Sequence, residues 1–136
     1  MTTVLFACTH NAGRSQMAAA FFNALADVAI AHAISAGTQP AAHVHPEVRE
    51  VMREAGFDLS GAIPKLLTDH LARSVQVLVT MACGEACPFV PGVERIDWEI
   101  PDPKGQPLDR VRSIRDQVRR EVETLIASHG WRCSGR

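Results

Sequence analysis

Short apolar runs alternate with segments of helical spacing along most of this chain. The predicted strands cover 3–7, 28–35, 75–80 and 94–100. Predicted helices cover 15–26, 46–55, a short segment from 68 to 71, and a long stretch marked by apolar residues from 111 to 126. This order predicts an α/β fold, a three-layer sandwich in which helices cover both faces of a four-stranded parallel sheet. We expect a single domain over 1–136, with a frayed tail over 130–136.

Length and charge exclude several classes of protein. The chain has 136 residues and a net charge of −1, from 14 basic and 15 acidic side chains, which argues against a nucleic-acid or membrane partner. The first apolar run follows no basic segment and is soon ended by polar residues, so it predicts neither a signal peptide nor a membrane span. We expect a cytoplasmic monomer. Four cysteines in a reducing compartment favour catalysis or metal binding over structural disulfides.

The stretch from Cys8 to Ser15 joins the first predicted strand to the first predicted helix. Its backbone N–H groups and the helix N-terminus can bind an anion, and the Arg14 guanidinium matches two oxygens of a tetrahedral oxyanion. The same field keeps Cys8 as the nucleophilic thiolate, to which Ser15 can donate a hydrogen bond. The oxyanion-binding residues predicted here are Thr9, His10, Asn11, Ala12, Gly13 and Arg14. The alternative is a buried structural cysteine beside a surface arginine.

Two further cysteines lie four positions apart, at Cys83 and Cys87. Such a pair can form a disulfide if the segment loosens, and Gly84 and Pro88 disfavour a stable helix there. This favours a redox relay fed from Cys8. Two alternatives stay open: a zinc site completed by Cys8 or a histidine, and two buried cysteines acting as small hydrophobic residues. The fourth cysteine, in the tail, is interpreted as an incidental thiol.

Asp102 stands between two prolines after the fourth predicted strand. Because the carboxyl ends of parallel strands meet at one edge of a sheet, Cys8, Cys83 and Asp102 are predicted to converge there. Asp102 could then protonate a leaving oxygen as a general acid, the alternative being a solvated loop carboxylate. His10 is interpreted as a rim residue of the loop rather than a group that tunes it.

These residues resemble a known family, the arsenate reductases built on the low-molecular-weight protein tyrosine phosphatase fold. The resemblance covers about residues 2–127. It rests on the segments 8–18, Ser35-Ala36-Gly37, 83–88 and Asp102-Pro103. The first loop alone is shared with the phosphatases, whereas the loop together with the paired cysteines is more specific to the reductases.

The resemblance implies reduction of arsenate to arsenite, for arsenic detoxification, by a thiol relay. Cys8 would attack arsenate, Arg14 and the loop amides would hold the oxyanion, and Asp102 would protonate the departing oxygen. Cys83 would then attack Cys8 and expel arsenite, and Cys87 would resolve the resulting disulfide. No metal or bound cofactor is needed, but an external thiol reductant is required. Thioredoxin is the first expectation, and mycothiol with a glutaredoxin-like partner is the alternative, because the spacing between the last two cysteines is short.

Some family members bind potassium near the loop asparagine through acidic residues. The matching positions here look like Ala19 and Lys65. We therefore expect the ammonium group of Lys65 to stand in for the cation and to support Asn11, with Ser35 as a further supporting residue.

Two other functions use the same residues. A low-molecular-weight protein tyrosine phosphatase would need Cys8, Arg14 and Asp102 but not Cys83 or Cys87. Such phosphatases commonly carry a second cysteine where Gly13 stands, and aromatic residues around the site, whereas this chain has no tyrosine. The other candidate is a redox-sensing or metalloregulatory binder without turnover.

Overall fold

The computed structural model describes residues 1–81 and 90–132. Four strands, β1 (Thr2–Cys8), β2 (Ala31–Gly37), β3 (Val77–Thr80) and β4 (Glu94–Asp97), form a sheet in the order β2-β1-β3-β4. Every neighbouring pair of strands is parallel. The carboxyl ends of β1 and β3 therefore lie side by side at the centre of one edge.

Helices cover both faces of the sheet, which confirms the predicted α/β class. They are α1 (Arg14–Leu25), α2 (Pro46–Glu54), α3 (Asp69–Arg73) and α4 (Leu108–His129). Side chains of β1 alternate between the faces: Val4, Phe6 and Cys8 join the core formed with α1, α2 and α4, whereas Leu5 and Ala7 join the smaller core on the side of α3. Cys8 thus points toward the helix that follows it.

The observed strands are shorter than the sequence predicted, except β1. β2 begins at Ala31 rather than Val28, because the backbone amides of Ile30 and Ala31 both bond to the carbonyl of Asp27 in a turn. The amide of Trp98 still bonds to Thr80, but β4 has ended at Asp97, and the chain then leaves the sheet toward the loop that carries Asp102. α4 begins three residues earlier than its apolar spacing indicated and extends to His129.

The prediction of a frayed tail is wrong for residues 130–132. Gly130 ends α4 in the left-handed conformation, with φ 71°. Trp131, only 7% exposed, then packs edge-on against Phe22 with 5.7 Å between ring centroids, and Arg132 pairs with Ala26. Burial of one large indole anchors the chain where its polar composition predicted fraying. Residues 133–136, including Cys133, lie outside the described residues. None of the helices among residues 1–81 and 90–132 is both long and apolar enough to cross a membrane.

Candidate active site

Backbone hydrogen bonds hold the outer side of the loop between β1 and α1. Carbonyl oxygens of the loop accept hydrogen bonds from the segment that follows β2, at 2.8–3.2 Å. The four donor–acceptor pairs are Thr38 to Cys8, Gln39 to Thr9, Ala41 to His10, and His45 to Ala12. The ring of His10 joins this outer layer, because its Nδ1 bonds to the Gln39 carbonyl at 3.1 Å. That contact agrees with its interpretation as a rim residue.

Unlike the carbonyl oxygens of the loop, most of its amide hydrogens have no hydrogen-bond partner among the described residues. The amide of Asn11 donates to Cys8 Sγ at 3.3 Å, and Asn11 itself adopts φ 50°, in the left-handed region. Within 1–81 and 90–132, the amides of Thr9, His10, Ala12 and Gly13 form no hydrogen bond. Free amides beside a helix N-terminus are the groups that bind a tetrahedral anion.

Cys8 is buried and has a defined hydrogen-bond donor. Its Sγ lies 2.9 Å from Ser15 Oγ, which in turn accepts from Asn11 Nδ2 at 2.7 Å. The backbone N–H of Lys65 must donate to the oxygen of the Asn11 amide, so Nδ2 faces Ser15. A Cys8 thiolate has no hydrogen to give, so with Cys8 in that form Ser15 is the donor in this contact. The chain of contacts orients one donor at the sulfur.

The support that Lys65 gives to Asn11 comes from its main chain. The bond from Lys65 N to Asn11 Oδ1 is 2.9 Å, whereas residue Lys65 is exposed. Among the described residues the ammonium group makes no hydrogen bond to Asn11, so its expected role in place of a cation stays a prediction. Ala19, Ser35 and Lys65 do line one cavity of about 300 Å³ beside the loop. Ser35 is buried on β2, and among the described residues its side chain makes no hydrogen bond to the loop.

Two supporting residues were not recognised from the sequence. Gln16, 7% exposed, donates from Nε2 to both the carbonyl and Oδ1 of Asn11, at 3.1 and 3.2 Å. A Cβ on Gly37 would lie 2.6 Å from the Thr9 carbonyl oxygen and 2.9 Å from the Asn11 nitrogen. Only glycine allows this approach of β2 to the loop. The glycine that ends β2 was a visible signal for the second residue, whereas nothing in the sequence distinguished Gln16.

Arg14 is buried, and one edge of its guanidinium is held by the main chain. Its Nη1 donates to the carbonyl of Ile100 at 3.0 Å, and Nη2 lies 4.0 Å from Asp102 Oδ2. The side chain of Asp102 is 48% exposed, and its Oδ1 accepts from the amide of Lys104 at 3.0 Å. Arg14 therefore brings the loop after β4 to the Cys8 loop, as the topology predicted for Asp102.

His45 stands behind the loop at the start of α2. Burial lowers the pKa of its imidazole below the ordinary value, an effect that the nearby carboxylates of Glu47 and Asp102 oppose and that Lys104 reinforces. A neutral imidazole at this position adds no charge to the loop. The backbone amide of His45 meanwhile holds the carbonyl of Ala12.

A second cavity opens at the same edge of the sheet, where β3 and β4 end. It encloses about 630 Å³ and is lined by Thr80, Arg95, Asp97 and residues 98–101. The hydroxyl of Thr80 donates to Asp97, and this bond, followed by that from Arg95, holds the pKa of the Asp97 carboxyl below its ordinary value. Asp97 is therefore a structural anion that ties β3 to β4 rather than a proton donor.

The two cysteines that were predicted to react with Cys8 lie outside the described residues. Both the relay and the zinc alternative that use Cys83 and Cys87 therefore stay predictions. Within the two described ranges, no three His, Cys, Asp or Glu side chains are grouped as metal ligands would be.

Comparisons with known proteins agree with this geometry. The family of low molecular weight phosphotyrosine protein phosphatases matches residues 3–130. A relative named glutaredoxin arsenate reductase, from Synechocystis sp., is 36% identical over 130 residues, which cover 93% of this chain and 98% of that protein. A solved structure of a thioredoxin-dependent arsenate reductase from Corynebacterium glutamicum superposes with a TM-score of 0.82 and 38% identity, over 94% of this chain but 61% of that one.

A phosphatase superposes equally well. The low molecular weight protein tyrosine phosphatase from T. tengcongensis also gives a TM-score of 0.82, at 25% identity, covering 94% of this chain and 99% of its own. The backbone therefore does not separate reductase from phosphatase, although the sequence relationship to the reductases is closer. On the match over residues 3–130 and the loop geometry, this chain belongs to the low molecular weight phosphotyrosine protein phosphatase family.

Proposed function

We propose that this chain is an arsenate reductase that uses Cys8 as its nucleophile. The observation that carries the proposal is the environment of Cys8 Sγ, which is buried, accepts a hydrogen bond from Asn11 N, is hydrogen-bonded to Ser15 Oγ, and lies beside the first turn of α1. Relatives named arsenate reductases, at up to 38% identity among those compared above, support arsenate as the oxyanion.

In the first step, the Cys8 thiolate attacks the arsenic atom of arsenate and forms a sulfur–arsenic bond. The bond from arsenic to its hydroxyl oxygen breaks, and the departing hydroxyl group of hydrogen arsenate takes one proton from Asp102 and leaves as water. The loop amides and the Arg14 N–H groups that make no hydrogen bond within 1–81 and 90–132 are suited to the negative charge on the remaining oxygens. Arsenic is still pentavalent at this point.

Reduction needs a second thiolate. When it attacks Cys8 Sγ, a disulfide forms, the sulfur–arsenic bond breaks, and its electron pair stays on arsenic, which leaves as arsenite. Two thiolates are thus oxidised and one arsenate is reduced, by two electrons in total. We assign the second thiolate to Cys83 and the next exchange to Cys87, which would leave a Cys83–Cys87 disulfide. Their spacing in the sequence supports this assignment.

An external thiol must return the enzyme to its reduced state. The names of two relatives point to reductants of the same chemical class, a thioredoxin in one and a glutaredoxin in the other. We propose a dithiol of the thioredoxin type for this chain. A small thiol acting with a glutaredoxin-like protein is the alternative, and it would use Cys8 without the other two cysteines.

The test is arsenate-dependent NADPH oxidation with thioredoxin and thioredoxin reductase. We expect turnover in the wild type and its loss in Cys8→Ser, Cys83→Ser and Cys87→Ser, whereas Cys133→Ser serves as the matched control with activity retained. Turnover that depends on a small thiol and survives Cys87→Ser would keep the reductase and remove the relay. Hydrolysis of phosphoesters without arsenate turnover under any thiol system would overturn the proposed function.

A further inference from the structure

The loop that carries Asp102 is anchored at one side chain. From Pro101 to Pro107 every residue is exposed except Pro103, which is buried. A proline buried in an otherwise solvated loop indicates a specific packing site. Its carbonyl also accepts from the amide of Gln106 at 3.1 Å and closes a turn.

The packing site is the bare backbone of Gly13 in the Cys8 loop. A Cβ built on Gly13 would lie 2.8 Å from Pro103 Cγ and 3.5 Å from Pro103 Cδ. The same point is 3.5 Å from His45 Cδ2. The pyrrolidine ring therefore occupies the space that any side chain at position 13 would need, and the imidazole of His45 borders it.

We propose that Pro103 is a positioning residue, whose ring is seated against Gly13 and holds Asp102 beside Arg14. This inference rests on the proposed role of Asp102 as proton donor. The bond from Arg14 to the Ile100 carbonyl holds the chain two residues before Asp102. The Asp102 carboxylate itself has only a weak restraint toward the Cys8 loop, because it is half-exposed and lies 4.0 Å from Arg14 Nη2. Its hydrogen bond from Lys104 is local to its own turn.

The proline is suited to this task by its covalent structure. Its ring fixes φ at its own position, so seating the ring also fixes the direction of the chain immediately after Asp102. A displacement of about 1 Å at a catalytic group can cost on the order of a hundredfold in rate. The packing of one ring against one glycine can therefore control proton transfer without contacting the substrate.

Reciprocal substitutions test the contact. Gly13→Ala puts a methyl group where Pro103 Cγ lies, and we expect kcat to fall about tenfold or more because the Asp102 loop is displaced. Pro103→Ala removes Cγ and Cδ, which makes room for that methyl group. The double variant should therefore regain a substantial part of the kcat that Gly13→Ala loses. Gly61→Ala is the matched control, because a Cβ there meets nothing within 4 Å.

Two readouts separate positioning from damage to the anion site. Competitive inhibition by inorganic phosphate reports on the loop amides and Arg14, and we expect it to change much less than kcat in Gly13→Ala. Amide hydrogen exchange at Lys104, the donor to Asp102, should become faster in each single variant and slower again in the double variant. Loss of phosphate binding in parallel with kcat, with no recovery in the double variant, would overturn the inference.

The same measurements distinguish this inference from the proposed function. If Asp102→Asn leaves kcat unchanged, Asp102 is not the proton donor and the proposed function of that residue fails. Exchange at Lys104 would still respond to Gly13→Ala and Pro103→Ala if the ring holds the loop. Unaltered exchange in both single variants, with Asp102→Asn inactive, would reject Pro103 as the positioning residue and leave the catalytic role intact.

Discussion

The main-chain amide of Lys65 donates a hydrogen bond of 2.9 Å to Asn11 Oδ1, across 54 positions of sequence. This bond decides which end of the Asn11 amide faces Ser15, so Asn11 Nδ2 donates to Ser15 Oγ and leaves the Ser15 hydroxyl hydrogen available to a Cys8 thiolate. A backbone group far along the chain thereby orients the hydrogen-bond donor at the sulfur. The identity of the side chain at position 65 plays no part in that contact.

A pair of substitutions at Lys65 separates backbone from side chain. Lys65→Pro removes the donating N–H and leaves Asn11 Oδ1 with one fewer partner, so kcat/KM for arsenate should fall at least about tenfold further than in Lys65→Ala. Steady-state kinetics of the two variants make the comparison. Equal losses would mean that the ammonium group, and not the amide, supports Asn11.

The hydroxyl of Ser15 is expected to stabilise the Cys8 thiolate. Its removal in Ser15→Ala deletes a hydrogen bond to a charged group, which is worth about 1.5–3 kcal/mol, or about ten- to a hundredfold in rate. Alkylation of Cys8 by iodoacetamide at neutral pH and kcat for arsenate should both fall. Ser128→Ala, at the end of α4, is the control. Unaltered alkylation in Ser15→Ala would mean that the hydroxyl does not act on the sulfur.

The role of Arg14 is expected to depend on the planar shape of its guanidinium group, which can donate to two acceptors at once. In Arg14→Lys a point charge replaces a group that spans the Ile100 carbonyl and the oxyanion, so kcat/KM should fall by about a hundredfold or more. The inhibition constant for inorganic phosphate should rise in the same variant. A rate within threefold of wild type, at unchanged phosphate affinity, would contradict a role for Arg14 in holding the oxyanion.

Trp131 is expected to be a major contributor to stability. Trp131 is only 7% exposed and its indole packs against Phe22, so Trp131→Ala should lower the free energy of unfolding by about 3–5 kcal/mol. Urea denaturation measures the change, and Trp131→Phe should cost markedly less because it retains an aromatic ring at this contact. A change below about 1 kcal/mol for Trp131→Ala would indicate that the chain after α4 is not anchored there.

His45 predicts a pH dependence of stability with a definite sign. Burial lowers its pKa in the folded protein, so below the ordinary value near 6.5 the unfolded chain binds more protons than the folded one. His45 therefore makes the protein less stable as pH falls through this range. The loss of stability between pH 7.5 and 5.5, measured in urea, should be smaller in His45→Asn than in wild type. An equal or larger loss would contradict the lowered pKa.

The sequence by itself determined the local parts of this site. Cys8, Gly13, Arg14 and Ser15 stand within eight residues between a buried strand and a helix, so their proximity follows from chain connectivity. Alternating strands and helices determined the parallel sheet, which in turn placed Asp102 at the same edge. Placing Asp102 at this edge requires only that the strands are parallel, because the carboxyl ends of parallel strands meet at one edge of a sheet. The alternation of strand and helix patterns along the sequence already predicts parallel strands.

Only the tertiary structure decided how these parts are held. Contacts from Lys65 to Asn11, from Arg14 to the Ile100 carbonyl 86 positions away, and from Pro103 to Gly13 join segments distant in sequence. Two of them use backbone atoms, which every residue carries, and the third uses the absence of a side chain. The anchoring of Trp131 likewise depends on its packing against Phe22 of α1, which is distant in sequence. Such contacts leave no periodic signal in a sequence, because they depend on which distant chain segments the fold brings together.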